Sequence, residues 1–492
     1  MGSSIHEQAM QYIYQQVLQR LLEHLSQAQR ASLQLLVQRL IVSAGGIERV
    51  RGMRLMFVFD ASRSSTHALA CLRAAQLSIA ARSPGTFQLR IVTAWQAGMS
   101  ATTRANLDRS FSALFLYDDP RIELLVSDDQ QLRPFDSRRL PSLDQQLAER
   151  QEWLLCGHVL DDPRATVNFA SHGYLHLAEI AYLASYWEGG VDAVISADTL
   201  WDRKRFLAWN RRALRQARLL GARPLHACAR TLLQGLSALR RRYLDQLHGR
   251  VQVQAHEMDP GRPALRFVTI DDLVSDRASP GERLDGFLGY RVDDQVLSSP
   301  RTGMANPMLL AHLQGLRAEF LGNGSYAEGM EAYLRQVRAQ VPRNGLPTAL
   351  LATAQVRWHR DAGKQWRAEA SGFALKHYGL SDTQLVCLVF SPFVAQGRRL
   401  ESFLQRCHPG MLVALPYLHK TLRGEPAPEP VVQWLVDISG LALTHLRMLY
   451  RREAVAEGLL LGLQCRGADL RHRQAAASQP GLARVEQPGV YG

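Results

Sequence analysis

The sequence predicts an α/β fold, a parallel sheet wound with helices, with a helical segment before it and a mostly helical region after it. Two observations carry this expectation. Short apolar runs alternate with helical patterns between residues 54 and 126, and the same pair recurs at 191–220. Strand, helix, strand, helix, strand is the signature of parallel pairing through crossover helices. From about residue 304 onward the periodicity is helical, broken near Gly322, Pro342, Pro409 and the Pro426–Pro430 turn.

The elements follow in order. Residues 4–42 read as amphipathic helix: Ser4-Ile-His-Glu7 has capping-box form, and Ile13, Val17, Leu21 and Leu25 recur on one face. Gly45-Gly46 ends it. Arg54 to Asp60 is a buried-strand pattern, a short apolar run closed by the polar turn Ala61 to Ser65. A helix is expected from about Thr66 to Ala81, stopped by Pro84-Gly85. Phe87 to Ala94 is a second strand, about 103–116 a helix, and Arg121 to Val126 a third strand. A polar stretch from Pro134 to Pro141 and a short helix lead to the apolar segment Glu152 to Cys156. Residues 171–187 are apolar nearly all round and predict a buried helix. Val191 to Ser196 is a further strand. A helix over 203–220 turns Phe206, Trp209, Ala213, Ala217 and Leu220 inward and Arg211, Arg215 and Arg218 outward.

These patterns divide the 492 residues into an N-terminal helical segment (1–50), an α/β domain (51–250), a connecting segment with short strands such as Leu265 to Ile270 (251–303), a helical domain (304–465) and a polar tail expected to be disordered (466–492). Composition is that of a globular chain: 46% apolar, 21% charged, with Gly 36, Pro 21 and Cys 6 excluding collagen-like, disordered and disulfide-rich classes. No apolar run reaches the ~18 residues of a membrane span, so no membrane partner is expected. Glu7 and Glu23 within the first helical pattern argue against a signal peptide. No two of the six cysteines form a CxxC pair, and the economical reading is reduced thiols in a cytoplasmic protein.

A net charge of +13 invites an anionic partner. However, only Lys204, Lys364, Lys376 and Lys420 among the 58 basic residues are lysines, a skew that fits a GC-rich genome better than phosphate contacts. The basic residues are scattered apart from the stretch Arg203 to Arg242. A small-molecule substrate is the favoured partner, with nucleic acid open.

In wound sheets, ligands sit beyond the carboxyl ends of the strands. The first such loop is Asp60-Ala61-Ser62-Arg63-Ser64-Ser65-Thr66. Its frame resembles the Ser-Gly-Gly-x-Asp-Ser-Thr loop of the PP-loop ATP pyrophosphatases, members of the HUP superfamily. In that family the glycines let main-chain amides approach phosphates and the helix dipole favours their charge. Ser65-Thr66 is kept. Asp60 stands for the family's Ser, Ala61 and Ser62 for Gly-Gly, and Ser64 for Asp, and an aspartate at position 60 would repel pyrophosphate unless Arg63 or a metal offsets it.

A second stretch extends the resemblance. Asp162-Pro-Arg164 to Phe169, Leu177 to Tyr182, Gly190 to Asp198 and Asp202 to Phe206 are similar in order and spacing to the distal half of 7-cyano-7-deazaguanine synthases (QueC-type enzymes), although the four-cysteine zinc site of those enzymes is absent. Gly157-His158-Val-Leu-Asp161-Asp162 resembles an element of the tRNA lysidine synthetases. The similarity covers roughly residues 54–220. It implies a HUP-like doubly wound sheet and an adenylating reaction. A carboxylate or amide oxygen would attack the α-phosphate of ATP, pyrophosphate would leave, and a nitrogen or sulfur nucleophile would displace AMP. Carried over by position, Ser62, Arg63, Ser64, Ser65 and Thr66 would cradle phosphates with Asp60 at the corner. Asp161 or Asp162 would hold Mg²⁺, Arg164 would neutralise charge on the transferred group, and Asp198 and Asp202 would face substrate.

Two further constellations stand apart. His172, His176 and Glu179 share a helical face at steps of four and three, a spacing open either to a metal ion or to polar contacts in the core. Arg211, Arg212, Arg215, Arg218, Arg223, Arg230, Arg240, Arg241 and Arg242 form either the solvated face of two helices or a nucleic-acid track. Trp358, His359, Trp366, His377 and Tyr378 read as core and rim aromatics, or as stacking platforms for bases. Walker A, kinase, GxSxG and GxGxxG signatures are absent. Three functions remain in view: an adenylating, amide-forming ligase acting on a small metabolite or nucleobase precursor; a degenerate relative serving as a binding or scaffold subunit; and an RNA-modifying enzyme of the same fold.

Overall fold

A computed structural model describes residues 2–83, 85–95, 98–128, 131–158, 165–198, 200–216, 229–248, 265–274, 282–291, 307–322, 324–338 and 363–451. The N-terminal segment is α1 (Gly2–His24), α2 (Gln27–Ala44) and the single turn α3 (Ile47–Val50). Helix α1 is already under way at Gly2, so the Ser4 to Glu7 pattern does not open it. The capping box lies instead at the head of α2. There the Ser26 hydroxyl accepts from the Gln29 amide, and the Gln29 side chain accepts from the Ser26 amide. Gly45 ends α2 at φ +85°, a left-handed cap that glycine adopts without strain.

The α/β region follows as β1 (Arg54–Val58), α4 (Arg63–Ala80), β2 (Gln88–Ala94), α5 (Ala101–Ala113), β3 (Ile122–Asp128), β4 (Gln131–Pro134), α6 (Leu143–His158), α7 (Ala165–Tyr186), β5 (Ala193–Ser196), α8 (Leu200–Gln216), α9 (Ala229–His248) and β6 (Arg266–Thr269). The sheet order is β4-β3-β2-β1-β5-β6. All neighbours are parallel except β3 and β4, an antiparallel pair that the sequence does not announce. Strand β6, which falls on the short strand expected at Leu265 to Ile270 in the connecting segment, joins the sheet and pairs with β5 from Ala193↔Arg266 to Ser196↔Thr269. The sheet therefore runs past the boundary placed near residue 250. The apolar segment Glu152 to Cys156 is the buried end of one continuous helix, α6.

Alternation along the strands builds two separate cores. Leu55, Phe57, Leu89 and Ile91 face α2, α4 and α5 on one side. Met56, Val92 and Val194 face α7 and α9 on the other. With both faces covered, the strands read as nearly continuous apolar runs, which is why the sequence marks them well. Arg73 on α4 is fully buried against Asp119, and Asp119 also takes Arg121. The Arg121 guanidinium lies 4.1 Å from the centre of the Tyr14 ring, fastening α1 to this body.

After β6 come α10 (Asp271–Val274) and α11 (Glu282–Leu288). Among the described residues the further α-helices are α12 (Pro307–Phe320), α13 (Tyr326–Arg338), α14 (Gly363–Tyr378), α15 (Asp382–Phe390), α16 (Leu400–Cys407), α17 (Leu415–Arg423), α18 (Glu429–Ser439) and α19 (Leu443–Arg451). Their core is continuous with Trp153 to Cys156 of α6, Leu175 and Ala178 of α7, Leu214 of α8 and Leu236 and Leu239 of α9. Helix α7 thus packs its lower half on the sheet and its upper half in the helical bundle. A second contact joins bundle and sheet: the Gly98 amide donates to the His377 carbonyl at 3.0 Å. A Cβ at Gly98 would fall 2.1 Å from the Tyr378 hydroxyl. Among the described residues no helix is long and apolar enough to cross a membrane.

Candidate functional site

The chain leaves β1 for β2 and β3 on one side and returns to β5 on the other. The gap between the carboxyl ends of β1 and β5 is the switch point where wound sheets take their ligands. Register carries Phe57 opposite Ile195. Continuing it by three residues brings Asp60 and Asp198 to the same end of the sheet. The head of α4 opens into this gap.

The turn there is built from its own side chains. Ala61 is buried and left-handed at φ +56°, a conformation costing a non-glycine residue about 1 kcal/mol or more. Its position is one where the resembling family has glycine. Ser62 caps α4, its hydroxyl accepting from the Ser65 amide at 3.3 Å, and the helix starts at Arg63, three residues ahead of the expected Thr66. The Ser62 amide donates to Asp60 Oδ1 at 2.9 Å, and the Ser65 hydroxyl donates to the same oxygen. The Thr66 amide donates to the Ser62 carbonyl at 2.8 Å, and the Ser62 and Ser64 hydroxyls are 3.2 Å apart. Thr66 itself is fully buried. The carboxylate of Asp60 therefore lies on the donors of the corner.

Arg63 does not offset that charge. Its Nε donates to Asp285 Oδ2 at 2.7 Å, and His67 Nε2 lies 2.6 Å from Asp285 Oδ1. Asp285, on α11, is about one-fifth exposed. Burial pushes its carboxyl up, but the hydrogen bonds and charges of His67 and Arg63 outweigh burial and hold it below the usual carboxylate range. Sequence reasoning gave neither His67 nor Asp285 a role. The two are 218 residues apart, and no local pattern marks the pair.

Of the other residues that the resemblance implies, only Asp198 has its side chain among the described residues. Asp198 is exposed and turned into its own loop, where the Ser196 hydroxyl donates to Asp198 Oδ2 at 3.0 Å. Arg203 donates to the Asp198 carbonyl and pairs with Asp271. Asp202 lies in the first turn of α8, and its side chain lies outside the described residues. Asp161, Asp162 and Arg164 also lie outside them, as do Trp358 and His359.

Of the His172, His176 and Glu179 face, only the last two side chains are among the described residues. All three are on α7, with His176 partly exposed and the His172 side chain outside the described residues. Glu179 is buried and accepts from Arg240 Nε of α9, whose Nη2 is also 3.7 Å from Glu152 of α6. Its carboxylate is thus committed to an ion pair. Among the described residues no group of three or more His, Cys, Asp or Glu is placed to hold a metal ion. The same pair takes Arg240 out of the arginine stretch, because it is 1% exposed and faces the core, whereas Arg211 and Arg241 are partly exposed. Trp366 and Tyr378 are buried in the bundle, as core aromatics.

A second buried polar pair lies at the end of α6. His158 Nδ1 donates to the Leu154 carbonyl at 2.9 Å, and Nε2 is 3.6 Å from the Cys387 sulfur. Complete burial pushes the imidazole pKa down to about 4, only partly opposed by the Leu154 carbonyl, and pushes the Cys387 thiol well up. Both groups are neutral near pH 7, and neither is an activated nucleophile or base. No protein-family model, curated protein or solved structure matches the chain.

Proposed function

We propose that this chain is a binding or scaffold subunit on a PP-loop-like α/β frame, and that its phosphate corner is closed by its own aspartate. The single observation that carries this reading is the pair of hydrogen bonds that Asp60 Oδ1 accepts from the Ser62 amide and the Ser65 hydroxyl. A phosphate at that corner would need those donors and would meet a carboxylate on them. Arg63, the nearest cation in the loop, is bound to Asp285. ATP with Mg²⁺ does not fit the corner as it stands, and no adenylation step is derived through it. The left-handed Ala61 supports descent from a glycine-bearing loop, and the burial of Arg240 takes one arginine away from the RNA-modifying reading.

Calorimetric titration of the full chain with ATP, AMP and pyrophosphate, each with Mg²⁺, tests the proposal beside an Asp60→Ser variant. The expected result is no heat of binding for the native chain. The variant should gain about tenfold or more in pyrophosphate affinity, equivalent to about 1.4 kcal/mol of relieved repulsion. Micromolar ATP binding by the native chain, or ATP–pyrophosphate exchange with any carboxylate or amide substrate, would overturn it in favour of the adenylating ligase.

A further inference from the structure

We draw no further inference here: the strongest candidate, the exposed leucine face of Leu140, Leu143 and Leu147 at the start of α6, is an unpartnered apolar surface, and nothing in the structure shows what covers it.

Discussion

The corner at the head of α4 and the junction of α6, α7 and α9 are both assembled from charged and hydroxyl groups, but over different distances along the chain. At the corner, Asp60, Ser62 and Ser65 bond one another within six consecutive residues, and Asp60 and Ser64 stand at the protein surface. At the junction, Glu152, Glu179 and Arg240 come from three helices, and Arg240 finds Glu179 across 61 residues. Water can replace a lost bond at the first site. At the second it cannot, so removing one partner strands an ion in the interior. The same chemical vocabulary therefore sets local shape in one place and global stability in the other.

Substitutions on the two sides of this comparison should differ severalfold. Arg240→Ala is expected to cost about 3–5 kcal/mol because it leaves two carboxylates buried. Urea unfolding would read this as a large fall in midpoint. Adding Glu179→Gln and Glu152→Gln should recover much of the loss, whereas an unchanged midpoint in the single variant would show that the pair carries no weight.

His158, at the bundle end of α6, extends the contrast to pH. Its folded pKa of about 4 lies below its ordinary 6.5, so between those values the unfolded chain takes up a proton that the folded chain refuses. Stability from this group is intact above pH 6.5 and falls by about 1.4 kcal/mol per unit as pH drops toward 4, about 3 kcal/mol in all. Denaturation curves at pH 7 and pH 5 should separate the native chain from a His158→Gln variant, which lacks this share of the slope. Parallel slopes would mean that the imidazole is not buried.

Gly98 probes the seam between sheet and bundle. It sits at φ +83° with the Tyr378 ring against it, so Gly98→Ala should cost about 1–3 kcal/mol through strain and clash. Thermal unfolding would show it as a lowered midpoint. Smallest of all, Asp60→Ala should cost about 1 kcal/mol, the ordinary net value of an exposed hydrogen bond. A loss as large as that of Arg240→Ala would erase the distinction between the two sites.

Much of the fold was legible because it is written locally. Leu55, Phe57, Ile91 and Val92 are buried on strands covered on both faces, and each strand showed as a bounded apolar run. Strand β4 escaped because Gln-Leu-Arg-Pro at the sheet edge has neither an apolar run nor a clear alternation. The continuity of α6 escaped because its first half leaves Leu143 and Leu147 in solvent among polar residues, so only the buried end stood out. In the candidate site the polar turn Ala61 to Ser65 could be read, but its pattern places the helix start at Thr66 and does not mark the cap at Ser62. The role of Asp285 could not be read, nor could the loss of Glu179 to Arg240, since both depend on chain pairings that only the folded topology makes.

On the proposed reading Asp60, only two residues from the amide it engages, would act as a tethered competitor. Its effective local concentration exceeds by orders of magnitude what a dissolved anion reaches. Changes in phosphate or nucleotide concentration would then leave such a turn unmoved. On that reading, whether the turn takes an anion would be fixed by one codon and not by metabolic state, and a single inherited change could reset it.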